Sequence, residues 1–227
     1  TLDFQYEESV ENNRSFITDS DIFPNLIENE PERSSTDDDS KDILFKGDYV
    51  LPIGEESQFE FGFNVNLNQL NSDYLVEGFD TATNQFYNNT NFSNTLGFEQ
   101  NIYALYSQYG KKIDKFSYLF GLRMENTVRK INLLQTNENF DKNWTEFFPT
   151  VNLGLEFNDM ESLTLGYSRR LRRPHHWFLN PFESRTSQTY IRTGNVNLDP
   201  TYTNSFDLGY LKRWEKLTLN SSIYYQH

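Results

Sequence analysis

Arg169, Arg170, Arg172 and Arg173 fall within five consecutive residues, and Pro174-His175-His176-Trp177 follows directly. Guanidinium groups are rigid forked donors that match carboxylates and phosphates, so this cluster suits an anionic ligand or an acidic protein surface. Adjacent residues of an extended chain point apart, and no carboxylate sits at ligand spacing from His175-His176, which argues against a metal there. Asp37-Asp38-Asp39 with Asp42 could suggest calcium, but the glycine and glutamate of a calcium loop are missing, so the run reads as a solvated acidic loop. There is no cysteine, no serine in a nucleophile elbow, and no carboxylate pair with a histidine. The sequence therefore points away from an enzyme and asks for no cofactor.

Which of these side chains share a surface depends on the elements that carry them. The chain has 227 residues, a net charge of -13 and a pI near 4.6, which disfavours nucleic acid as a partner. A mean hydropathy of -0.73 would suit a disordered chain, but 20 Phe and 14 Tyr contradict that. No run of 18 apolar residues exists, so no helix is expected to cross a bilayer. Transmembrane β-barrels, however, carry a two-residue alternation instead of an apolar block.

That alternation is everywhere. Val151, Leu153, Leu155 and Phe157 alternate with Asn152, Gly154 and Glu156; after Asn158-Asp159-Met160-Glu161, Leu163, Leu165 and Tyr167 alternate with Thr164, Gly166 and Ser168. The same hairpin pattern flanks short breaks near residues 55, 113 and 215. Between them the sequence reads as long polar connections, Glu11–Lys41, Gln69–Phe98, Gln135–Glu146 and Leu171–Tyr202, all at one end. The expected fold is all-β, an antiparallel up-and-down meander of about nine strands of 9 to 18 residues.

A soluble β-sandwich and a membrane barrel both alternate, and differ in which face is inside. Three features favour a segment of a transmembrane outer-membrane barrel. Short turns at one end and long loops at the other are the habit of such barrels. Gly62, Gly121, Gly154, Gly166 and Gly209 all lie on the polar face, where they either admit another backbone, as a plug would, or relieve curvature. Phe147, Phe148, Phe157, Tyr167, Trp214, Tyr224 and Tyr225 gather at or near strand ends, where interfacial girdles sit. Nine tilted residues cover roughly 21 Å, close to the apolar band required. The aromatics of the connections, Phe86, Tyr87, Phe92, Trp144 and Trp177, would either stack on a ligand or hold the loops together.

Residues Phe98–Thr127 (FEQNIYALYSQYGKKIDKFSYLFGLRMENT) and Phe147–Phe157 (FFPTVNLGLEF) resemble the barrel of Bacteroidetes TonB-dependent receptors. So do Tyr167–Phe182 (YSRRLRRPHHWFLNPF) and Gly194–Trp214 (GNVNLDPTYTNSFDLGYLKRW). The resemblance implies a barrel of about 22 strands closed by a plug and energised by TonB, importing a metal chelate or an oligosaccharide. Residues 1–227 would be one partial barrel domain, truncated at both ends. Its expected partners are outer-membrane lipid, the plug of the same protein, TonB through an N-terminal region outside this sequence, and an unidentified nutrient. Candidate ligand or plug contacts are Arg123, Glu125, Asn152, Glu156, Arg170, Arg172, Arg173 and Trp177, with Asn64, Asp207 and Arg213 on the same polar face. The rival readings are a soluble or surface-anchored glycan-binding sandwich and a porin-like barrel without a plug.

Overall fold

The computed structural model describes residues 1–21, 27–185 and 190–227. Nine strands form one open antiparallel sheet: β1 (Leu2–Ile17), β4 (Glu32–Pro52), β5 (Ser57–Asp80), β7 (Asn94–Ile113), β8 (Phe116–Leu133), β9 (Glu138–Asn158), β10 (Glu161–Arg172), β13 (Thr201–Arg213) and β14 (Thr218–Gln226). Each pairs with the next in that order, and short β6 (Gln85–Asn88) extends the outer end of β5. The two-residue ladders β2 (Ser20–Asp21) with β3 (Ile27–Glu28), and β11 (Ser184–Arg185) with β12 (Ile191–Arg192), lie in connections. One helical turn, α1 (His176–Leu179), is present among the described residues. The main strands form a single sheet, and apart from the two short ladders no second sheet occurs among the described residues, which does not favour the sandwich reading.

Tight turns close one end. Gly54 takes φ +72° in the β4–β5 turn, and Asp114 takes φ 50° in the β7–β8 turn, conformations that glycine and aspartate tolerate best. At the other end, three of the four connections expected to be long are mostly strand. The acidic run Ser34–Asp39 lies within β4 and pairs with β1, and Gln69–Asp80 continues β5. β8 and β9 meet through a turn of only residues 134–137.

Why the sequence hid these extensions is visible in β8. Phe116, Tyr118, Phe120, Leu122 and Met124 share one face, where all but half-buried Tyr118 stay exposed, Phe120 to 50%. Arg123, Glu125, Thr127, Arg129, Ile131 and Leu133 share the other, where Ile131 and Leu133 are only 1% and 2% exposed. The outward face turns from apolar to polar at Asn126, whereas the inward face turns from polar to apolar at Ile131. The two faces exchange character along one strand.

The apolar run also crosses the hydrogen-bonded rows obliquely. On β1, β4 and β5 its unbroken stretch ends at Tyr6, Ile43 and Leu67, which share a row. On β10 it ends at Tyr167, whose row passes through Val151, Phe120, Tyr109 and Phe59 to Leu51, beside the opposite turn. A level band can do this only if the strands are tilted through it, as in barrels that cross a bilayer. The expected polar residues Asn64, Arg123, Glu125, Asn152, Glu156, Arg170, Asp207 and Arg213 all fall on the inward face by register.

The glycines of that face make room for side chains of their own sheet. A Cβ at Gly62 would lie 2.6 Å from the ring of its cross-strand partner Tyr106, and one at Gly209 would lie 2.6 Å from the Thr164 hydroxyl. Leu165→Arg, on the outward face, should destabilise the full-length protein folded in phospholipid vesicles by roughly 2–4 kcal/mol near the bilayer centre. Asn152→Arg should change stability by less than about 1 kcal/mol. Equal losses, measured by denaturant titration, would contradict the assignment of faces.

Candidate functional site

Between β10 and β13, the described residues 173–185 and 190–200 fold back over the inward face as a strap. Pro174 ends the strand ladder, and α1 then delivers Leu179, fully buried, against Leu70, Leu96, Phe98, Ile131 and Leu133 of β5, β7 and β8. Phe140, Phe182 and Val196 pack around that cluster. Two strap segments bind each other: the Gly194 N–H donates to the Asn180 carbonyl at 2.7 Å, and the Asn195 N–H to the Phe178 carbonyl at 2.8 Å. A Cβ at Gly194 would come within 2.6 Å of the Asn180 oxygen, so the backbone approach admits only glycine.

Polar anchors fix the strap to the sheet. Arg129 donates to the Val196 carbonyl at 2.9 Å, and Lys142 pairs with Asp199. At the far tip Arg185 pairs with Glu32 at 3.0 Å, both largely buried, and lies over the Phe92 ring. The Tyr74 hydroxyl accepts from the Arg185 N–H at 3.0 Å and donates to the Arg185 carbonyl at 3.2 Å. The strap thus spans the inward face from β9 to β4.

At the root of the strap lies a charged cluster. Glu125 is buried, and its two oxygens accept from Arg123 Nε at 2.6 Å and from Arg173 Nη2 at 2.5 Å. Arg173 Nη2 also donates to the Thr127 hydroxyl at 3.0 Å. A buried carboxylate is costly to desolvate, and two charge-assisted hydrogen bonds offset that cost. Around this cluster opens a cleft of about 410 Å³ lined by Arg123, Glu125, Phe148, Thr150, Arg170 and Arg173. It adjoins a second cleft of about 340 Å³, which shares Arg123, Phe148 and Thr150 and ends at Lys46 and Asp48. There Asp48 is held by the Tyr106 hydroxyl and by Lys46 at 2.9 Å, with Arg123 over the Tyr106 ring.

The eight sequence candidates are therefore dispersed. Arg123, Glu125, Arg170 and Arg173 meet at one cleft. Arg172 is on the same face, opposite Thr201, but outside that lining, whereas Arg169, over the Tyr202 ring on the outward side, still borders the cleft. Trp177 belongs to the strap, where the Arg192 guanidinium stacks on its ring at 3.6 Å. Asn152 lines a separate cavity of about 680 Å³ near the tight turns, beside Thr164 and Asp207. Glu156 is exposed and pairs with Lys112 at 2.7 Å. Sequence reasoning missed Tyr106, Asp48 and Arg129; Tyr106 alone left a signal, as a large aromatic on the polar face opposite a glycine.

His176 tests the docking of the strap. Burial, reinforced by neighbouring His175, holds its pKa down at about 4, against about 6.5 in an unfolded chain. The docked strap therefore binds fewer protons than the released one between these values, and its stability falls as pH falls through that window. A spin label at Asn197→Cys should become more mobile as pH drops from about 6.5 to about 4, and His176→Gln should flatten that response. Leu179→Ala should loosen the strap at neutral pH, costing about 2–5 kcal/mol, with the same label as readout.

The family model described as the outer membrane protein beta-barrel family matches residues 1–227. Among solved structures, the copper transporter OprC superposes with a TM-score of 0.60 at 15% identity, over 97% of this chain and 35% of its own. The ferric citrate transporter FecA, in its unliganded form, superposes with a TM-score of 0.55 at 12% identity, over 97% of this chain and 31% of its own. The chain thus spans about a third of the length of these structures. No curated protein matches the sequence. Since the family match runs from the first residue to the last, this chain belongs to the outer membrane β-barrel family, and the solvent against its apolar band is the lipid of the outer membrane.

Proposed function

We propose that this chain forms part of the wall of a TonB-dependent receptor of the Bacteroidetes kind, which takes up a nutrient across the outer membrane. The observation that carries this reading is the inward face itself. Opposite the apolar band it is mostly polar, with Leu119 and Phe148 among the exceptions, from Arg123 and Arg170 at the outer rim to Asn152, Asp207 and Glu156 near the tight turns. Clefts along it are left open by the sheet's own side chains. A polar face inside a lipid-facing wall needs hydrogen-bonding partners, and a plug in the lumen supplies them until it is displaced. The rest of the barrel and the plug lie in the remainder of the protein, with TonB reached through its N-terminal region. The nutrient would bind at the outer rim and the plug apex, then pass along this face. The named solutes of the two similar transporters, ferric citrate and copper, are compatible with this role and do not choose the nutrient.

This chain has no cysteine, so single thiols introduced into it are read after any cysteines elsewhere in the protein are replaced by serine. In whole cells, Thr150→Cys on the inward face should react with a membrane-impermeant thiol reagent faster when the inner membrane is energised and TonB is present. Val151→Cys, facing lipid, should stay unreactive. Equal, rapid labelling of Thr150→Cys with and without TonB would indicate an unplugged pore and sink the energised mechanism.

A further inference from the structure

The inward face is electrostatically divided. On β1, β4 and β5 it carries Asp3, Glu7, Glu11, Asp38, Asp42 and Glu60, with Lys46 as its cation. On the opposite flank, the outer parts of β8, β9 and β10 with the strap root carry Arg123, Arg129, Lys142, Arg170, Arg172 and Arg173, against Glu125, Glu138 and Glu146. In a chain of net charge -13, cations collected on one flank of one face are a departure that solubility does not require.

The cleft at the strap root concentrates this excess. Arg123, Arg170 and Arg173 line it from the inward face and Arg169 borders it, against one lining carboxylate, Glu125. Both Glu125 oxygens are already engaged, by Arg123 Nε and Arg173 Nη2. Arg173 Nε is shielded from solvent without a hydrogen-bond partner among the described residues. Arg170 projects from the same face and forms no ion pair among the described residues. A buried guanidinium N–H left unmatched is costly, and an acceptor oxygen entering the cleft would satisfy it. Glu146, opposite Glu125 on β9, has one shielded and unpartnered oxygen, so the β9 side would repel an anion and confine it toward Arg170 and Arg173.

We propose that this cleft binds a small, multiply charged anion carrying carboxylate or phosphate groups. Arg170 and Arg173 provide forked contacts, Arg123 the field below, and Phe148 an apolar wall. Arg123 also lines the adjoining cleft, whose far end is the Lys46–Asp48 ion pair, so the excess of positive charge lies at the strap root. This deepens the transport reading by naming the charge class of the ligand, and it rests on that reading only for the direction of entry.

The test uses the full-length protein in detergent, with calorimetric titration of pyrophosphate, of tricarballylate, and of maltotriose as a neutral control. Saturable binding of either anion, absent for the trisaccharide and weakening with salt, is expected; which anion binds separates the phosphate from the carboxylate source. Arg170→Gln should weaken it at least about tenfold, as expected for a lost charge-assisted contact, and Arg170→Lys should recover part of the loss. Arg170 is exposed and outside the Glu125 pairs, so its variants should keep wild-type unfolding temperatures. No saturable anion binding, or an affinity unchanged in folded Arg170→Gln, overturns the proposal. Thiol labelling at Thr150→Cys is read separately, so a plugged, TonB-responsive barrel that ignores both anions loses the anion site alone.

Discussion

In hydrocarbon no water is available to an unpaired N–H or C=O, so a chain that crosses with strands must satisfy its backbone sideways, strand to strand. That constraint accounts for most of the architecture. It requires unbroken ladders through the band, which is why β4, β5, β7, β8 and β9 pair continuously from their tight turns outward. It leaves the side chains to settle the solvents: apolar rings toward lipid, and amides, hydroxyls and charges inward. The oblique course of the apolar run across the rows follows from the same source, since strands of a closed ladder must tilt.

Beyond the band the constraint relaxes and water returns on the outward face. There the sheet behaves like that of a soluble protein, polar outside and apolar within. The strap provides what the apolar inner face now needs, a second layer, in the form of Leu179, Phe182 and Val196. At the level where the faces exchange, neither an apolar core nor open water is available to Glu125, and Arg123 and Arg173 hold it. The charged cluster therefore sits at the seam between two solvents, which also places it at the mouth of the polar face.

How much of this was legible follows from the range of each signal. The turns at Gly54, Asp114 and Asp159-Met160 were readable because turn chemistry is local, and the alternation beside them gave strand faces correctly at all eight polar positions named above. The outer halves of the strands were not, because the apolar positions change parity there. Leu70, Phe98 and Ile131 belong to the face that carries Asn64, Tyr106 and Arg123 lower down, so the run of alternation breaks and reads as loop. Meetings such as Arg173 with Glu125, or Arg185 with Glu32, leave no periodicity at all. Gly194 opens the stretch Gly194–Trp214 that carries the family resemblance, but the reason for this glycine, the close approach of the Asn180 carbonyl, exists only in three dimensions.

The strap also carries a meaning in time. The Arg185–Glu32 pair joins residues 153 positions apart, and Tyr74 meets Arg185 across 111. Contacts of such separation form after the local ones, because the intervening chain must first be ordered. The pocket for Leu179 is built from β5, β7 and β8 together, so it does not exist until those strands are in register. Closure of the strap is thus a late event, and it marks the strands beneath it as already assembled.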